Sequence, residues 1–278
     1  MDFNDSQQEA AFRKEARDFL EANAEKRSII SDKPNDKSPQ IAVAGAPETV
    51  KGGKEAAQEA LERAKVWQKK KAEAGFAAIL WPKEFGGYGG SPIQQVIYSQ
   101  EEHDYLVPSG YFEIGIGMLG PTMMVWGKDE DKKRYLPKMI TGEEIWCQLF
   151  SEPSAGSDLA GIKMKAEKDG DEWVLNGQKV WTSGAHFADY GMIVARSDPS
   201  ALKHKGLTYF YLDMKTPGIE VRPIKQISGT SNFNEVFFND VRIPDSQRLG
   251  GEGEGWKVAL TTLTVSYTHL RAHETVVH

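Results

Sequence analysis

The apolar pattern of this 278-residue chain changes period once, near residue 142. Before that point apolar residues recur at helical spacing; after it, short β-prone runs are separated by turn dipeptides. Ser6-Gln7-Gln8-Glu9 fits a capping box, in which the Ser hydroxyl and the Glu carboxylate satisfy free N–H groups at a helix start. Phe12, Ala16, Phe19 and Leu20 then share one face, and Lys26 and Arg27 suit the negative end of such a helix. A second helix is predicted over about 54–74, with Ala57, Ala60, Leu61, Ala64 and Trp67 as its stripe and Gly75 as its stop. Ser91-Pro92 supplies the cap and first turn of a third, to about Leu106. Helical pieces follow over 112–119, 121–126 and 129–140, ended by Thr141-Gly142. Residues 28–53 lose periodicity, contain Pro34 and Pro39, and read as a linker or surface insertion.

From 145 onward the turns dominate. Asp169-Gly170 separates 163–168 from 172–175, and Asn176-Gly177-Gln178 separates 172–175 from 179–182, which predicts consecutive antiparallel strands. Runs at 191–196, 207–212, 219–223 and 235–238 continue the series. The expected fold class is α+β. An N-terminal all-α domain (1–142) precedes an antiparallel β-barrel or sandwich domain (143–249), and 250–264 opens another helical domain. The last stretch, 265–278, holds three of the six histidines, has no cap, and reads as foreign to what precedes it.

Composition narrows the function. The net charge of −6 argues against a nucleic-acid binder, which needs a basic footprint. A single cysteine, Cys147, excludes an intrachain disulfide framework and a Cys-based zinc site. The N-terminus lacks the apolar core of a secretory signal, and no apolar run reaches the roughly 18–20 residues of a membrane span. The expectation is a soluble enzyme of a reducing compartment.

Several patterns look chemical and have plainer explanations. Gly115-Ile116-Gly117-Met118-Leu119-Gly120 matches a dinucleotide fingerprint by letter, but no strand precedes it and Pro121 follows at once, so helix packing explains the glycines better. Lys132, Lys133 and Arg134 beside Asp129, Glu130 and Asp131 read as a solvated helix face. Cys147 reads as a small buried residue. His103 among Glu101, Glu102 and Asp104 cannot aim consecutive helical positions at one metal ion. No metal site is assigned, and no Gly-x-Ser-x-Gly elbow occurs.

The informative stretch is Ser151-Glu152-Pro153-Ser154-Ala155-Gly156-Ser157-Asp158, hydroxyls and free N–H groups on a turn after an apolar strand. About 25 residues on, Trp181-Thr182-Ser183-Gly184 places an indole and a hydroxyl two positions apart at a strand end. Residues i and i+2 share a strand face, so both could meet one flat ligand. Glu152-Pro-x-Ala-Gly-Ser-Asp158 and Asn176-Gly-Gln-Lys-x-Trp181-x-Ser183 resemble the flavin-site signature of the acyl-CoA dehydrogenases. Trp81-Pro82 with Gly86-Gly87-x-Gly89-Gly90, Tyr135-Leu136-Pro137 with Gly142-Glu143, and Val241-Arg242-Ile243-Pro244 fit the same family, in order over residues 1–264. Residues 28–53 are longer than the family's connection, and Phe150 and Ser151 stand where an aliphatic residue and Thr are commoner.

The resemblance implies an α domain, a β domain and a C-terminal four-helix bundle, with FAD between the last two. It implies removal of an α-proton from an acyl-CoA thioester by a glutamate, hydride transfer to flavin N5, and electron-transferring flavoprotein as electron acceptor. Carried over by position, Gln148, Leu149, Phe150, Ser151, Gly156, Ser157, Trp181, Thr182 and Ser183 line the flavin. Phe150 and Ser151 bond the pyrimidine edge, Ser157 holds a pyrophosphate oxygen and touches the acyl-CoA, Trp181 flanks the ring, and Ser183 bonds near N5. The family's glutamate lies in the bundle, beyond residue 264, so no catalytic residue is assigned. The chain is therefore expected to be an inactive fragment of an enzyme that is a dimer or tetramer at full length, in the cytoplasm or, in a eukaryote, the mitochondrial matrix. Alternatives are an acyl-CoA oxidase-type flavoenzyme and a non-catalytic flavin- or acyl-CoA-binding module. Lys203 and Lys205, around His204, could meet CoA phosphates but read better as a solvated loop.

Overall fold

The computed structural model describes residues 5–27, 53–227 and 231–274; the linker reading at 28–52 lies outside them. The chain forms two compact units. One comprises residues 5–27, 53–109 and 140–143, the other 110–139 and 144–274.

The first unit is built on helices α1 (Gln7–Asn23), α2 (Gly53–Glu73) and α3 (Pro92–His103). Capping boxes fix the starts of α1 and α3: Glu9 N–H donates to Ser6 Oγ and Gln94 N–H to Ser91 Oγ, while each cap's own N–H is taken by the same partner's side chain. Phe12 and Ala16 pack on Phe76, Ile79, Ile97 and Tyr98, and Leu20 packs with Trp67 and Tyr105. Gly75, at φ 84°, ends α2 in a conformation that costs glycine nothing. Two expectations need correction. The first helix stops at Asn23, because Glu25–Lys26 (β1) pairs antiparallel with Tyr105–Leu106 (β2). Lys26 and Arg27 therefore serve a strand; Arg27 Nε donates to the Tyr105 carbonyl at 3.0 Å. The third helix ends at His103 for the same reason, since the buried Tyr105 belongs to that strand pair.

The second unit holds α4 (Gly120–Trp126), most of α5 (Asp129–Thr141), strands β3 to β10, and α6 (Gly255–Glu274). The strands are β3 (Trp146–Leu149), β4 (Lys165–Asp169), β5 (Glu172–Ser183), β6 (Tyr190–Arg196), β7 (Leu207–Asp213), β8 (Ile219–Ile224), β9 (Phe233–Pro244) and β10 (Arg248–Leu249). They form one sheet in the order β10-β7-β6-β4-β5-β9-β8, with β3 beside β6. Helices followed by this sheet are the expected α+β arrangement. Pairing is antiparallel except for β3 with β6 and the single Lys165–Arg196 bridge of β4 with β6. β6 and β7 are almost wholly buried, as central strands must be, whereas β8 at the edge alternates toward solvent.

Asp169-Gly170 turns β4 into β5 as predicted, with Gly170 at φ 64°. Asn176-Gly177 does not turn the chain. β5 runs straight through it, and its register against β9 slips from Leu175/Val241 to Gly177/Phe238. Asn176 Nδ2 donates to Asp240 Oδ1, and Asp240 N–H donates to Asn176 Oδ1, both at 2.9 Å. Gly177 is required by closeness: φ is 146°, and a Cβ there would sit 2.8 Å from Met164 Cγ. The dinucleotide-like glycines lie in a π-helical turn leading into α4, where a Cβ on Gly115 would touch Trp146 at 3.6 Å. Close packing does not require them, since the Gly115 contact is an ordinary one and a Cβ on Gly117 would meet nothing within 4 Å; what removes the dinucleotide reading is the helical turn standing where a strand would be needed. The α6 backbone stays helical across 265–274, so the tail extends that helix rather than breaking from it.

Candidate functional site

β3 delivers the chain into the hydroxyl-rich turn. Leu149 is buried, and Phe150 is buried edge-on against Tyr209 with centroids 5.7 Å apart. The turn closes on itself through Glu152 N–H to Ala155 O (2.8 Å) and Ala155 N–H to Glu152 O (3.0 Å). Gly156 and Ser157 are left exposed, and a Cβ on Gly156 would meet nothing within 4 Å. Open space, not crowding, surrounds that glycine.

β5 runs alongside. Val180 N–H donates to Ser151 O at 2.8 Å, which sets the turn against the Trp181–Ser183 end of the strand. Between Lys179 and Thr182 the register against β9 slips, and Trp181 takes φ 59°. A left-handed residue in a strand is a bulge device that re-aims a side chain. Here it leaves the indole 60% exposed and edge-on to Phe233, centroids 6.2 Å apart. Ser183 pairs directly with Phe233, and directly paired residues share a sheet face. Trp181 and Ser183 therefore both border Phe233 on one side, as the i, i+2 argument expected, although the strand is not regular there. Thr182 faces inward, 2% exposed, and its Oγ1 is buried without a hydrogen-bond partner.

Two groups support this surface. Lys179 is fully buried; its Nζ donates to Phe150 O at 3.0 Å and to Glu152 Oε1 at 2.9 Å. The Glu152 carboxylate also accepts from Lys163 N–H (2.6 Å) and Met164 N–H (3.0 Å). Burial pushes the Lys179 ammonium down to about 8, with Glu152 opposing the shift. Asn234, also buried, donates to Thr182 O at 2.9 Å and meets His186 Nδ1 at 3.2 Å; burial lowers the His186 pKa. Asn234 and His186 were not singled out from sequence, and Lys179 entered only as a letter of the quoted signature. A signal existed for Lys179: it shares strand parity with the inward Trp173 and Leu175, where a lysine is out of place unless paired.

The sequence therefore located Gln148, Leu149, Phe150, Ser151, Gly156 and Ser157 on one strand and its turn, and Trp181, Thr182 and Ser183 on the strand beside it. The other patterns resolve as structural. Cys147 is buried, 3.9 Å from Met214 Sδ, and burial pushes its thiol up to about 12, so it is no nucleophile. Around His103, Glu101 takes Arg13 and Arg17, and Glu102 takes Lys71 and Tyr98. Among the described residues no three metal-ligating side chains converge. Lys132 and Arg134 pair with Asp129 and Glu144. Lys203 pairs with Asp158 at 2.6 Å, and His204 lies edge-on to Trp256. No described helix is long and apolar enough to cross a membrane.

The fold is α+β, with hydroxyls and an exposed indole along two adjacent segments of its sheet module. Comparison with known proteins specifies it. The model of the acyl-CoA dehydrogenase N-terminal domain matches residues 43–143, and that of the middle domain matches 147–241. Acyl-CoA dehydrogenase IpdE1 of Mycobacterium tuberculosis is 42% identical over 213 residues, covering 77% of this chain and 55% of that protein. A solved structure titled as the Tcur3481-Tcur3483 steroid ACAD is 30% identical with a TM-score of 0.73, covering 96% of this chain and 63% of that one. The ChsE4-ChsE5 complex from Mycobacterium tuberculosis is 29% identical with a TM-score of 0.70, at 95% and 61% coverage. This chain belongs to the acyl-CoA dehydrogenase family, whose members are flavin-dependent oxidoreductases. It spans a little over half the length of the curated relative.

Proposed function

We propose that residues 143–249 carry the flavin- and thioester-facing wall of an acyl-CoA dehydrogenase that uses FAD. The observation that carries this reading is the donor set. Among the described residues, no protein group hydrogen-bonds the hydroxyls of Ser151, Ser157 or Ser183; Ser183 lies two positions from the exposed Trp181, and Ser151 is held against the same strand by Val180 N–H. Such a surface suits a flat heterocycle with polar edges and a phosphate tail. FAD, when bound, supplies the acceptor for the β-hydride of the thioester. The chain's own groups bind and orient: Phe150 and Ser151 at the pyrimidine edge, Ser157 at a pyrophosphate oxygen and the thioester, Ser183 near N5. Trp181 covers the ring and excludes water. Donors fixed in advance favour negative charge where they point, and cost no reorganisation at the moment of reaction.

In this reading the base for the α-proton is supplied from beyond residue 264, and electrons leave to an electron-transferring flavoprotein. The steroid ACAD among the similar structures supports a CoA thioester of a bulky ring-bearing acid as substrate. The ChsE4-ChsE5 match supports assembly with further dehydrogenase chains, of the same or a related kind. By the same family likeness, its place in the cell is the cytoplasm or, in a eukaryote, the mitochondrial matrix. The test is to add FAD, then CoA thioesters of a steroid acid and of straight-chain acids, and follow flavin absorption without oxygen. The expected result is a saturable perturbation, at lower concentration for the steroid thioester, without rapid bleaching. Bleaching at about 1–10³ s⁻¹, ordinary for enzymes, would place a base inside residues 1–278. No perturbation by any thioester would remove the thioester from this wall.

A further inference from the structure

The Lys179–Glu152 pair is costly and sits under the candidate site. Both side chains are at most 5% exposed. A buried ion pair can often be replaced by apolar groups with no loss of stability, so stability alone does not explain it. What it holds is a peptide plane. The Phe150 carbonyl accepts from Lys179 Nζ at 3.0 Å. That carbonyl and the Ser151 N–H belong to one planar trans peptide and point in opposite directions. With the carbonyl tied to a buried ammonium, the Ser151 N–H must face away from it. The Ser151 carbonyl is fixed too, by Val180 N–H at 2.8 Å. Glu152 anchors the ammonium and is itself held by Lys163 and Met164 N–H. Among the described residues, no acceptor meets the Ser151 N–H.

We propose that Lys179 is a positioning residue that locks the Phe150–Ser151 peptide, so that the Ser151 N–H is presented as a donor to the ligand of this site. The proposal rests on the flavin reading above. It differs from a packing role because it separates stability from affinity. Lys179→Met leaves Glu152 buried and unpaired, and should lower the thermal midpoint. Adding Glu152→Gln removes that charge and should restore much of the midpoint, but the peptide lock stays lost.

The test titrates FAD into the wild-type chain, Lys179→Met and Lys179→Met/Glu152→Gln, reading flavin fluorescence and circular dichroism together. The expected result is a double variant with near wild-type stability and a Kd for FAD about tenfold weaker, the worth of one hydrogen bond. A double variant that regains both stability and affinity overturns the proposal. If the variants fail to fold, amide hydrogen exchange on the wild type decides. The Ser151 amide should exchange freely without FAD and become protected with it; protection without FAD, or none with it, overturns the proposal. No saturable FAD signal from the wild type would sink the flavin reading, and the proposal with it.

Discussion

Glu152 and His186 show how single buried groups couple this module to charge. Glu152→Ala would leave the Lys179 ammonium buried and two backbone N–H groups without their acceptor. Breaking a buried pair from one side costs about 3–5 kcal/mol, so the urea midpoint at neutral pH should fall steeply. His186 gives a pH signature. Burial lowers its pKa below 6.5, so the unfolded chain takes up the proton first. Its contribution to stability is present above pH 6.5 and is lost as pH falls through the lower folded value. Urea titrations at falling pH should show the wild type losing stability faster than His186→Gln. His186 escaped the sequence reading and Glu152 entered it only as a motif letter, for one reason: their burial depends on partners 48 and 27 residues away. Ser151, Ser157, Trp181 and Ser183 entered the sequence reading because their motif letters lie close together in the chain.

Elements were legible where their determinants are local. The two capping boxes and the Gly75 stop each use residues within one turn, and the helices start or end there. Asn176-Gly177 was misread because a dipeptide gives the chain's local freedom but not its partner. Here β9 lies across from it, and the slip in register absorbs the dipeptide. The parallel pairing of β3 with β6 had no local signal, since 44 residues separate Trp146 from Tyr190. Gly177→Ala should cost about 1–3 kcal/mol in a denaturant titration, because the backbone sits at φ 146° and Met164 occupies the space. α6 is held by hydroxyls: Thr262 Oγ1 lies 2.8 Å from Thr122 Oγ1 and 3.1 Å from Tyr209 OH, all buried. Thr262→Val keeps the shape but takes one hydrogen bond from each partner, whose hydroxyls keep the Met118 carbonyl and Met192 Sδ, at about 0.5–1.5 kcal/mol by the same measurement.

At the scale of the molecule, two family models match residues 43–143 and 147–241, most of the chain. The central claim concerns one surface of the second unit: a bulged strand turns Trp181 outward beside Ser183, and the turn at 151–157 runs alongside. That claim is tested most directly by titrating FAD into the purified chain and into Trp181→Ala, following flavin fluorescence. The indole is exposed and supports no core, so the variant should keep its circular dichroism and thermal midpoint. A stacked aromatic contributes about 0.5–1.5 kcal/mol beyond the area it buries, and 1.4 kcal/mol is tenfold in Kd. The account predicts saturable quenching in the wild type and a Kd about three- to tenfold or more weaker in Trp181→Ala. Equal affinity in the two proteins would contradict it.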